Sequence, residues 1–347
     1  MTARLRIDLG ALGANYAIFQ RAAAPGTAAA VVKADAYGLG APAVVRTLWQ
    51  QGCREFFVAT AAEGLQVRAE LPDAAIYVFE GALQATVDEL CAAALIPVLN
   101  HAQQLDLWRR SADGQPAAVH VDTGMHRLGF AADLSAADLR GVRVCLLVSH
   151  LACADEPGHP MNTRQLERLA KVRELLPGVP VSLGNSAATL GGPALTGDLA
   201  RPGIGLFGGN PFVREATPVR PVAALEGRIL QIRRVAAGDS VGYGATFTAS
   251  APMEVAIVGI GYGDGVPRLL SNCGEVALRG ERCAIVGRVS MDLTTIDVTG
   301  RNARLDDWVE IFGATVLVDE VARWAQTIPY EVLTGLGRRP RREYLTA

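Results

Sequence analysis

The first part of the chain alternates short apolar runs with longer amphipathic stretches of helical periodicity. Eight apolar runs predict buried strands, at residues 28–33, 55–60, 75–79, 96–99, 117–122, 142–150, 181–184 and 204–207. The stretches around them predict helices at 9–19, 42–51, 61–69, 83–93, 102–110 and 162–176. Eight strands, most followed by a helix, predict an α/β fold in which parallel βαβ units close into a (β/α)8 TIM-type barrel.

An open, doubly wound sheet is the alternative arrangement of the same units. The barrel is favoured for two reasons: the strand count is right, and no G-x-G-x-x-G segment follows the first strand.

The pattern changes near residues 211–221. Strand-length runs separated by glycine turns follow at 225–235, 240–248, 255–261, 275–278, 283–289, 294–298 and 307–312, with short helical pieces at 319–324 and 328–336. They predict a mostly antiparallel β domain at residues 217–347, after a barrel at 1–216 whose first few residues are able to pair with it. The arginine-rich end is interpreted as a solvated tail or a subunit contact; it contains Arg338, Arg339, Arg341 and Arg342.

Composition narrows the functional classes. The 347 residues are 50% hydrophobic, and the 33 basic and 35 acidic residues give a net charge of -2. This balance argues against nucleic acid or an anionic membrane as the main partner. Six scattered cysteines without a C-x-x-C pair predict free thiols in a reducing compartment, with no zinc or other metal site. No signal-peptide region or transmembrane run is present in the sequence, which predicts a cytoplasmic protein without a membrane partner.

Chemically active side chains fall where the predicted barrel strands end. Lys33 ends the first strand, Arg127 follows the fifth, His150 ends the sixth, Asn185 and Ser186 follow the seventh, and Arg201, Gly203 and Ile204 lie at the eighth. Barrel enzymes carry their reactive groups on this rim, so these residues are predicted to form the site.

Two features of this rim have a direct chemical meaning. Lys33 ends a buried strand, and desolvation of its ammonium group favours the neutral amine that attacks carbonyl groups. The alternative is a lysine that only reaches from a strand end to solvent. The Ser186 hydroxyl, with the N–H groups of Gly203 and Ile204, predicts a phosphate site, although an Asn-Ser pair is also typical of a helix start.

The segment at 31–40, V-V-K-A-D-A-Y-G-L-G, resembles the lysine motif of alanine racemases. Other motifs follow in that family's order: D-T-G-M-H-R-L-G at 122–129, S-H at 149–150, N-S at 185–186, R-P-G-I at 201–204, G-Y-G-D-G at 261–265 and S-M-D at 290–292. The sequence is therefore similar to this family of pyridoxal phosphate (PLP) enzymes across both domains.

The resemblance implies a role for each matching residue. Lys33 would be linked covalently to PLP and serve as the base on the D face of the substrate, and Tyr262 would be the base on the L face. The cofactor would be held by Tyr37, His150, Asn185, Ser186, Arg201, Gly203 and Ile204. The substrate carboxylate would be bound by Arg127 and Met291, with support from His120 and Asp292.

Arg201 adds a chemical argument for racemisation. An arginine against the pyridine nitrogen of PLP is always cationic and therefore disfavours ring protonation. The weakened electron sink leaves a short-lived carbanion that is reprotonated at carbon, which favours racemisation over transamination.

The family analogy also implies a homodimer with shared active sites, because Tyr262 and Met291 would enter the partner's barrel. The expected reaction is interconversion of L-alanine and D-alanine, with D-alanine supplied for peptidoglycan. A racemase for serine or a broad range of amino acids is the nearest alternative, and a non-catalytic PLP-binding protein is another. A PLP decarboxylase also joins a barrel to a β domain, but no decarboxylase-type motif stands in the C-terminal half.

Three positions depart from the family pattern. His120 stands where many members have a lysine, often carbamylated, so Arg127 would be oriented by a neutral or charged imidazole or by a bound anion. Leu39 replaces a histidine, which is expected to change packing. Arg338 stands where a simple alignment places a phosphate-binding tyrosine of some members.

Overall fold

The computed structural model describes residues 2–213 and 215–346. Met1, Arg214 and Ala347, which belong to the predicted ranges 1–216 and 217–347, lie outside the described residues. The strands are β1 (Ala3–Asp8), β2 (Thr27–Ala28), β3 (Ala30–Val31), β4 (Glu55–Val58), β5 (Ala75–Val78), β6 (Ile96–Leu99), β7 (Pro116–His120), β8 (Arg143–Val148), β9 (Val181–Ser182), β10 (Leu199–Ala200), β11 (Ala223–Val235), β12 (Ser240–Val241), β13 (Phe247–Thr248), β14 (Met253–Val258), β15 (Glu275–Leu278), β16 (Glu281–Ala284), β17 (Thr294–Asp297), β18 (Trp308–Phe312) and β19 (Arg341–Leu345).

The right-handed α-helices lie between or after these strands. They span Leu9–Ala23, Ala41–Gln50, Ala61–Glu70, Val87–Ala92, Ala102–Ser111, Pro160–Arg173, Ser186–Gly191, Val318–Trp324 and Pro329–Thr334. Short 3₁₀ turns lie at Pro193–Leu195, Ile204–Phe207, Tyr243–Ala245, Tyr262–Asp264 and Arg268–Leu270. Within the described part of the chain, no helix is long and apolar enough to cross a membrane.

The N-terminal domain is built on parallel strands. β3 to β9 form a seven-stranded sheet in sequence order, and β10 pairs in parallel with β2. The N–H of Ala29 donates to the carbonyl of Ala200 at 2.9 Å, which brings the last strand beside the first. The strands are apolar and buried on both faces, as expected where helices cover a parallel sheet. The predicted barrel-type architecture is confirmed.

The predicted eighth strand at 204–207 is wrong. This segment is a 3₁₀ turn, and the eighth strand is the shorter β10. The N–H groups of Gly203 and Gly205 donate to the Ser186 hydroxyl oxygen at 2.8 and 3.2 Å instead of joining a ladder. An apolar run is buried in either conformation, so the apolar pattern alone does not distinguish them.

The second domain is a mostly antiparallel sheet, which confirms that prediction. Its strand order is β16-β15-β18-β11-β1-β19, with β14 pairing both β11 and β17. β1, from the N-terminus, pairs antiparallel with β11, and its Leu5 and Ile7 are fully buried. The predicted single strand at 240–248 is instead a short hairpin, β12 and β13, around a 3₁₀ turn.

The arginine-rich end is not a solvated tail. β19 pairs in parallel with β1, and its side chains reach the segment after Lys33. The guanidinium of Arg342 donates twice to the carbonyl of Gly38, at 2.9 and 3.2 Å, and the hydroxyl of Tyr344 donates to the carbonyl of Leu39 at 3.0 Å. The last strand therefore fixes backbone at the rim of the barrel.

Replacing Arg342 by alanine is expected to lower the free energy of unfolding by about 1–3 kcal/mol, because a charged donor to the Gly38 carbonyl is lost. Urea denaturation would measure the change. Arg341, exposed on the same strand, provides the matched control, and Arg341→Ala should stay within about 0.5 kcal/mol of the wild type. Equal losses in the two variants would contradict the assignment.

Candidate active site

A cavity of about 400 Å³ lies at the carboxyl ends of the barrel strands. It is lined by Val31, Lys33, Tyr37, Ala59, Phe79, His120, Arg127, Leu128, Val148, His150, Asn185, Ser186, Arg201, Gly203, Ile204 and Tyr330. Its volume falls within the range of roughly 300–1,000 Å³ typical of small-molecule sites. The structure thus brings together all the barrel residues that the sequence places in the site.

Lys33 is followed by a left-handed turn. Four non-glycine residues, Ala34 to Tyr37, have φ between 52° and 56°, each at a cost of about 1–2 kcal/mol for an L-residue. Contacts from elsewhere in the chain hold this turn. The Glu63 carboxylate accepts the N–H of Ala34 at 2.8 Å, and Arg342 binds the Gly38 carbonyl at the other end. The turn places Lys33 and Tyr37 on the wall of the same cavity.

The electrostatics of the cavity favour an anionic ligand. Lys33, Arg127 and Arg201 all line it, and no carboxylate among the described residues does. Burial by protein atoms, and then the charge of Arg127, lower the pKa of Lys33, while Glu63 opposes them. Lys33 is therefore the neutral amine, the nucleophilic form, in a larger fraction of the protein molecules.

One wall of the cavity carries hydrogen-bond donors suited to a phosphate. The Ser186 oxygen already accepts two backbone N–H groups, so its own proton is free to be donated. Burial raises the pKa of Tyr37, which keeps its hydroxyl protonated and able to donate. A Cβ at Gly203 would lie 2.3 Å from the Tyr37 hydroxyl oxygen, so only glycine fits beside it. Together with the cavity's positive charge, these residues fit a phosphate-bearing cofactor such as PLP.

Arg201 is 3% exposed and has no carboxylate partner among the described residues. Its guanidinium donates to the Ser182 hydroxyl at 2.6 Å and to the Ser149 carbonyl at 2.7 Å. Burial, followed by the charge of Arg127, lowers its pKa to about 9, so it remains cationic at pH 7. A cation without a counter-ion is available to a ligand that enters the cavity.

His150 lies next to this guanidinium. Its Nδ1 is 3.3 Å from Arg201 Nη2, and because arginine can only donate, Nδ1 is the acceptor and Nε2 carries the proton. Burial and the neighbouring cations lower the pKa of His150 well below its usual value, so the ring is neutral.

His120 is held by an asparagine that is buried between strands. Asn100 uses its amide N–H₂ on the carbonyls of Val98 and Phe79, which leaves its oxygen to accept from His120 Nδ1 at 2.8 Å. The Nε2 lone pair of His120 therefore remains free. Burial, then the charges of Arg201 and Arg127, lower the pKa of His120 to about 4, so the imidazole is neutral and not cationic.

The lowered pKa of His120 predicts how stability depends on pH. Between pH 4 and its ordinary value of about 6.5, the unfolded chain binds more protons than the folded one, so stability falls as the pH drops. Urea denaturation at pH 7 and pH 5 measures how much free energy of unfolding is lost between the two pH values. This loss should be smaller in His120→Gln than in the wild type, by on the order of 1–2 kcal/mol. His101→Gln, at an exposed histidine, should behave like the wild type. A loss that is the same in all three proteins would contradict the assignment.

The site residues predicted in the β domain lie away from the Lys33 cavity. Tyr262, Met291 and Asp292 line another cavity, of about 480 Å³, together with Tyr243 and Arg288. Tyr262 is 43% exposed and Met291 54% exposed. Within one chain, these side chains do not line the cavity of Lys33.

Sequence analysis missed Tyr330. It lines the Lys33 cavity, 6.1 Å from the ring of Tyr37, and burial raises its pKa to about 12. Arg338, to which the tyrosine position was assigned by alignment, is exposed and does not line the cavity. That assignment was wrong because Tyr330 comes earlier, on a short helix that begins at Pro329 and returns to the barrel. The I-P-Y segment preceding the arginines was the available signal.

Comparison with known proteins agrees across the whole chain. The sequence model of the alanine racemase N-terminal domain matches residues 7–211, and that of the C-terminal domain matches residues 222–344. The alanine racemase of Rhodospirillum rubrum is 46% identical over 358 residues, covering 99% of this chain and 96% of the relative.

Solved structures match both domains together. The alanine racemase of Bartonella henselae, which carries covalently bound pyridoxal phosphate, superposes with a TM-score of 0.94 at 36% identity, over 99% of this chain and 100% of that one. The biosynthetic alanine racemase of Pseudomonas aeruginosa gives a TM-score of 0.92 at 38% identity, over 99% of each chain. On its sequence, its fold and the residues gathered in its barrel cavity, the chain belongs to the alanine racemase family.

Proposed function

We propose that this chain is a PLP-dependent alanine racemase that interconverts L-alanine and D-alanine. The observation that carries the proposal is the cavity of Lys33, which combines a lysine of lowered pKa, phosphate donors and two further cations. In the part of the chain that the structure describes, no carboxylate lines this cavity. That set suits a phosphorylated cofactor together with the carboxylate of an amino acid.

The residues that would hold PLP all line the cavity. Lys33 would be its covalent attachment, and Arg201, supported by His150, would face the ring nitrogen. The phosphate would be bound by Tyr37, Asn185, Ser186, Gly203, Ile204 and Tyr330. When bound, PLP withdraws electron density from the substrate and thereby acidifies its Cα–H bond. The cationic Arg201 would disfavour protonation of the ring nitrogen, which would favour return of a proton to carbon.

Inversion at Cα requires a proton acceptor on one face and a donor on the other. Lys33 Nζ would take or give the proton on the D face, and its lowered pKa favours the neutral amine required for taking it. Arg127 and Met291 would bind the substrate carboxylate. The neutral His120, fixed by Asn100, would present Nε2 as an acceptor for the Arg127 guanidinium, which makes the neutral imidazole the favoured alternative at this position.

Tyr262 would act on the L face from the partner subunit of a homodimer. The support is that Tyr262 and Met291 are exposed and lie away from the Lys33 cavity of their own chain. Exposed Tyr243 and Leu293 line the same cavity as Tyr262 and Met291, and burying such apolar side chains favours association. On this proposal, the β domain at 217–347 completes the active site of the partner's barrel at 1–216, with Asp292 supporting Met291.

The proposed biological role is supply of D-alanine for peptidoglycan in the cytoplasm. The proposed partners are an amino acid and a second copy of the chain, not nucleic acid or a membrane. The proposal is tested with purified protein reconstituted with PLP, by following D-alanine formed from L-alanine with chiral chromatography. L-serine at the same concentration should be racemised at least about tenfold more slowly, since an added hydroxyl gives discrimination of this order. Faster serine racemisation would make the chain a serine or broad-spectrum racemase, and PLP binding without racemisation would make it a binding protein.

A further inference from the structure

The hydrogen-bond ladder between the first barrel strands stops just before Lys33. β3 and β4 pair in parallel as far as Val31, and the N–H of Val32 still donates to the carbonyl of Phe57 at 2.9 Å. After Lys33 the chain enters the left-handed turn, whose first residue is Ala34. The backbone before the lysine is therefore fixed by the sheet, and the backbone after it needs another contact.

The Glu63 carboxylate supplies this contact. Its Oε1 accepts the N–H of Ala34 at 2.8 Å, and its Oε2 accepts the N–H of Ala59, directly after β4, at 2.8 Å. The base of the side chain is fixed as well, because Glu63 lies in the first turn of the helix after β4 and its own N–H donates to the Thr60 hydroxyl at 3.3 Å. One carboxylate thus ties the backbone after Lys33 to the end of the neighbouring strand.

Only a carboxylate can accept both N–H groups. A glutamine amide has one oxygen, so its N–H₂ group would be turned toward the second backbone donor. Glu63 is half-buried and does not line the Lys33 cavity. Its negative charge opposes the effect of burial and of Arg127 on the pKa of Lys33. Glu63 therefore acts on the lysine and not on a ligand in the cavity.

Glu80 has a similar structural task without contacting the turn. Its Oε1 accepts the N–H of Ala61 at 2.8 Å, at the start of the helix that carries Glu63. Both carboxylates are half-buried, and both bind backbone N–H groups near the amino end of this helix. Loss of either should lower stability to a comparable extent. Only loss of Glu63 releases the backbone after Lys33.

We propose that Glu63 is a positioning residue that holds Lys33 in place for the reaction without itself touching substrate or cofactor. This inference rests on the proposed function, in which Lys33 binds PLP and exchanges the proton on the D face of alanine. Misplacing a reacting group by about 1 Å can cost on the order of 100-fold in rate. Loss of Glu63 should thus slow the steps that use the Lys33 amine. Alanine affinity, assigned to Arg127, should be spared.

Exchange of the Cα hydrogen of D-alanine with solvent, measured on the PLP-loaded protein in D₂O, follows the proton step of Lys33. In Glu63→Ala, kcat for this exchange is expected to fall about 10–100-fold, while KM for D-alanine changes less than about threefold. Glu63→Gln keeps the shape of the side chain but one acceptor only, and should lose at least about fivefold in kcat. Glu80→Ala and Glu80→Gln, the matched controls, should keep both constants within about twofold of wild type. If Glu63→Ala does not fold, the comparison of Glu63→Gln with Glu80→Gln decides.

Two readouts do not depend on racemisation. Amide hydrogen exchange in peptides that cover residues 32–40 should be at least about tenfold faster in the Glu63 variants than in the wild type, with no change in the Glu80 variants. Apo protein mixed with PLP should form its lysine-linked absorbance band at least about fivefold more slowly when Glu63 is replaced. Unchanged kcat, an equal loss in the Glu80 variants, or unchanged amide exchange at 32–40 would overturn the inference. If the wild type neither racemises alanine nor exchanges its Cα hydrogen, the proposed function fails, and amide exchange and the rate of PLP attachment still decide whether Glu63 holds Lys33.

Discussion

Replacing Lys33 by alanine should lower kcat/KM for alanine racemisation by at least about 10⁴-fold, the largest effect expected for any single substitution in this chain. The variant loses the amine that would attach the cofactor and, with it, the base on the D face. The covalent PLP absorbance band should disappear as well. Chiral analysis of the product and the absorbance spectrum of the same sample would measure both losses.

The chain provides an unusually simple control for this prediction. Its only lysines are Lys33 and Lys171, and Lys171 is exposed on the helix Pro160–Arg173. Lys171→Ala should retain the absorbance band and the racemisation rate within about twofold. Racemisation that survives in Lys33→Ala, or is lost equally in Lys171→Ala, would contradict the role assigned to Lys33.

Replacing Tyr262 by phenylalanine should reduce racemisation by about 10²–10⁴-fold, the usual contribution of a general base. The substitution removes one oxygen and leaves the ring. Exchange of the Cα hydrogen of D-alanine in D₂O should survive, because it uses Lys33. Racemisation that stays within about fivefold of wild type in Tyr262→Phe would contradict the role proposed for Tyr262.

Mixed dimers test whether Tyr262 acts in the partner subunit. Lys33→Ala and Tyr262→Phe chains, each nearly inactive, would be unfolded together, refolded with PLP and assayed. If the bases come from different subunits, each mixed dimer contains one intact site, and random assortment restores about a quarter of wild-type activity. If both bases come from one chain, every site is defective and no activity returns.

The sequence predicts most of the barrel because its strands are continuous apolar runs and its helices have a clear period. It also locates the barrel side of the site, because strand ends in a barrel converge on one rim. That rule alone predicts that Lys33, His150 and Arg201 lie in the site. The joining of β1 to the C-terminal sheet could be expected in outline only, since strand partners depend on tertiary packing.

The failures have a common physical cause. The segment A-D-A-Y after Lys33 contains no glycine, so nothing local predicts a left-handed turn; Glu63 and Arg342, distant in sequence, impose it. The segment at 204–207 is apolar in either conformation, and Ser186 determines that it is not a strand. Tyr330 enters the cavity because its helix returns to the barrel. Arg342 reaches the Gly38 carbonyl because β19 pairs with β1, from the other end of the chain. In each case a long-range contact overrides the local pattern.

Borohydride reduction of the PLP-loaded protein, followed by peptide mapping, tests the central claim most directly. Reduction converts a lysine–PLP linkage into a stable one, and mass spectrometry then locates it. We expect a reduced pyridoxyl group on Lys33, none on Lys171, and formation of D-alanine from L-alanine by the same protein before reduction. A label on Lys171 or on no lysine, with D-alanine not formed, would contradict the assignment of Lys33 as the residue that binds PLP.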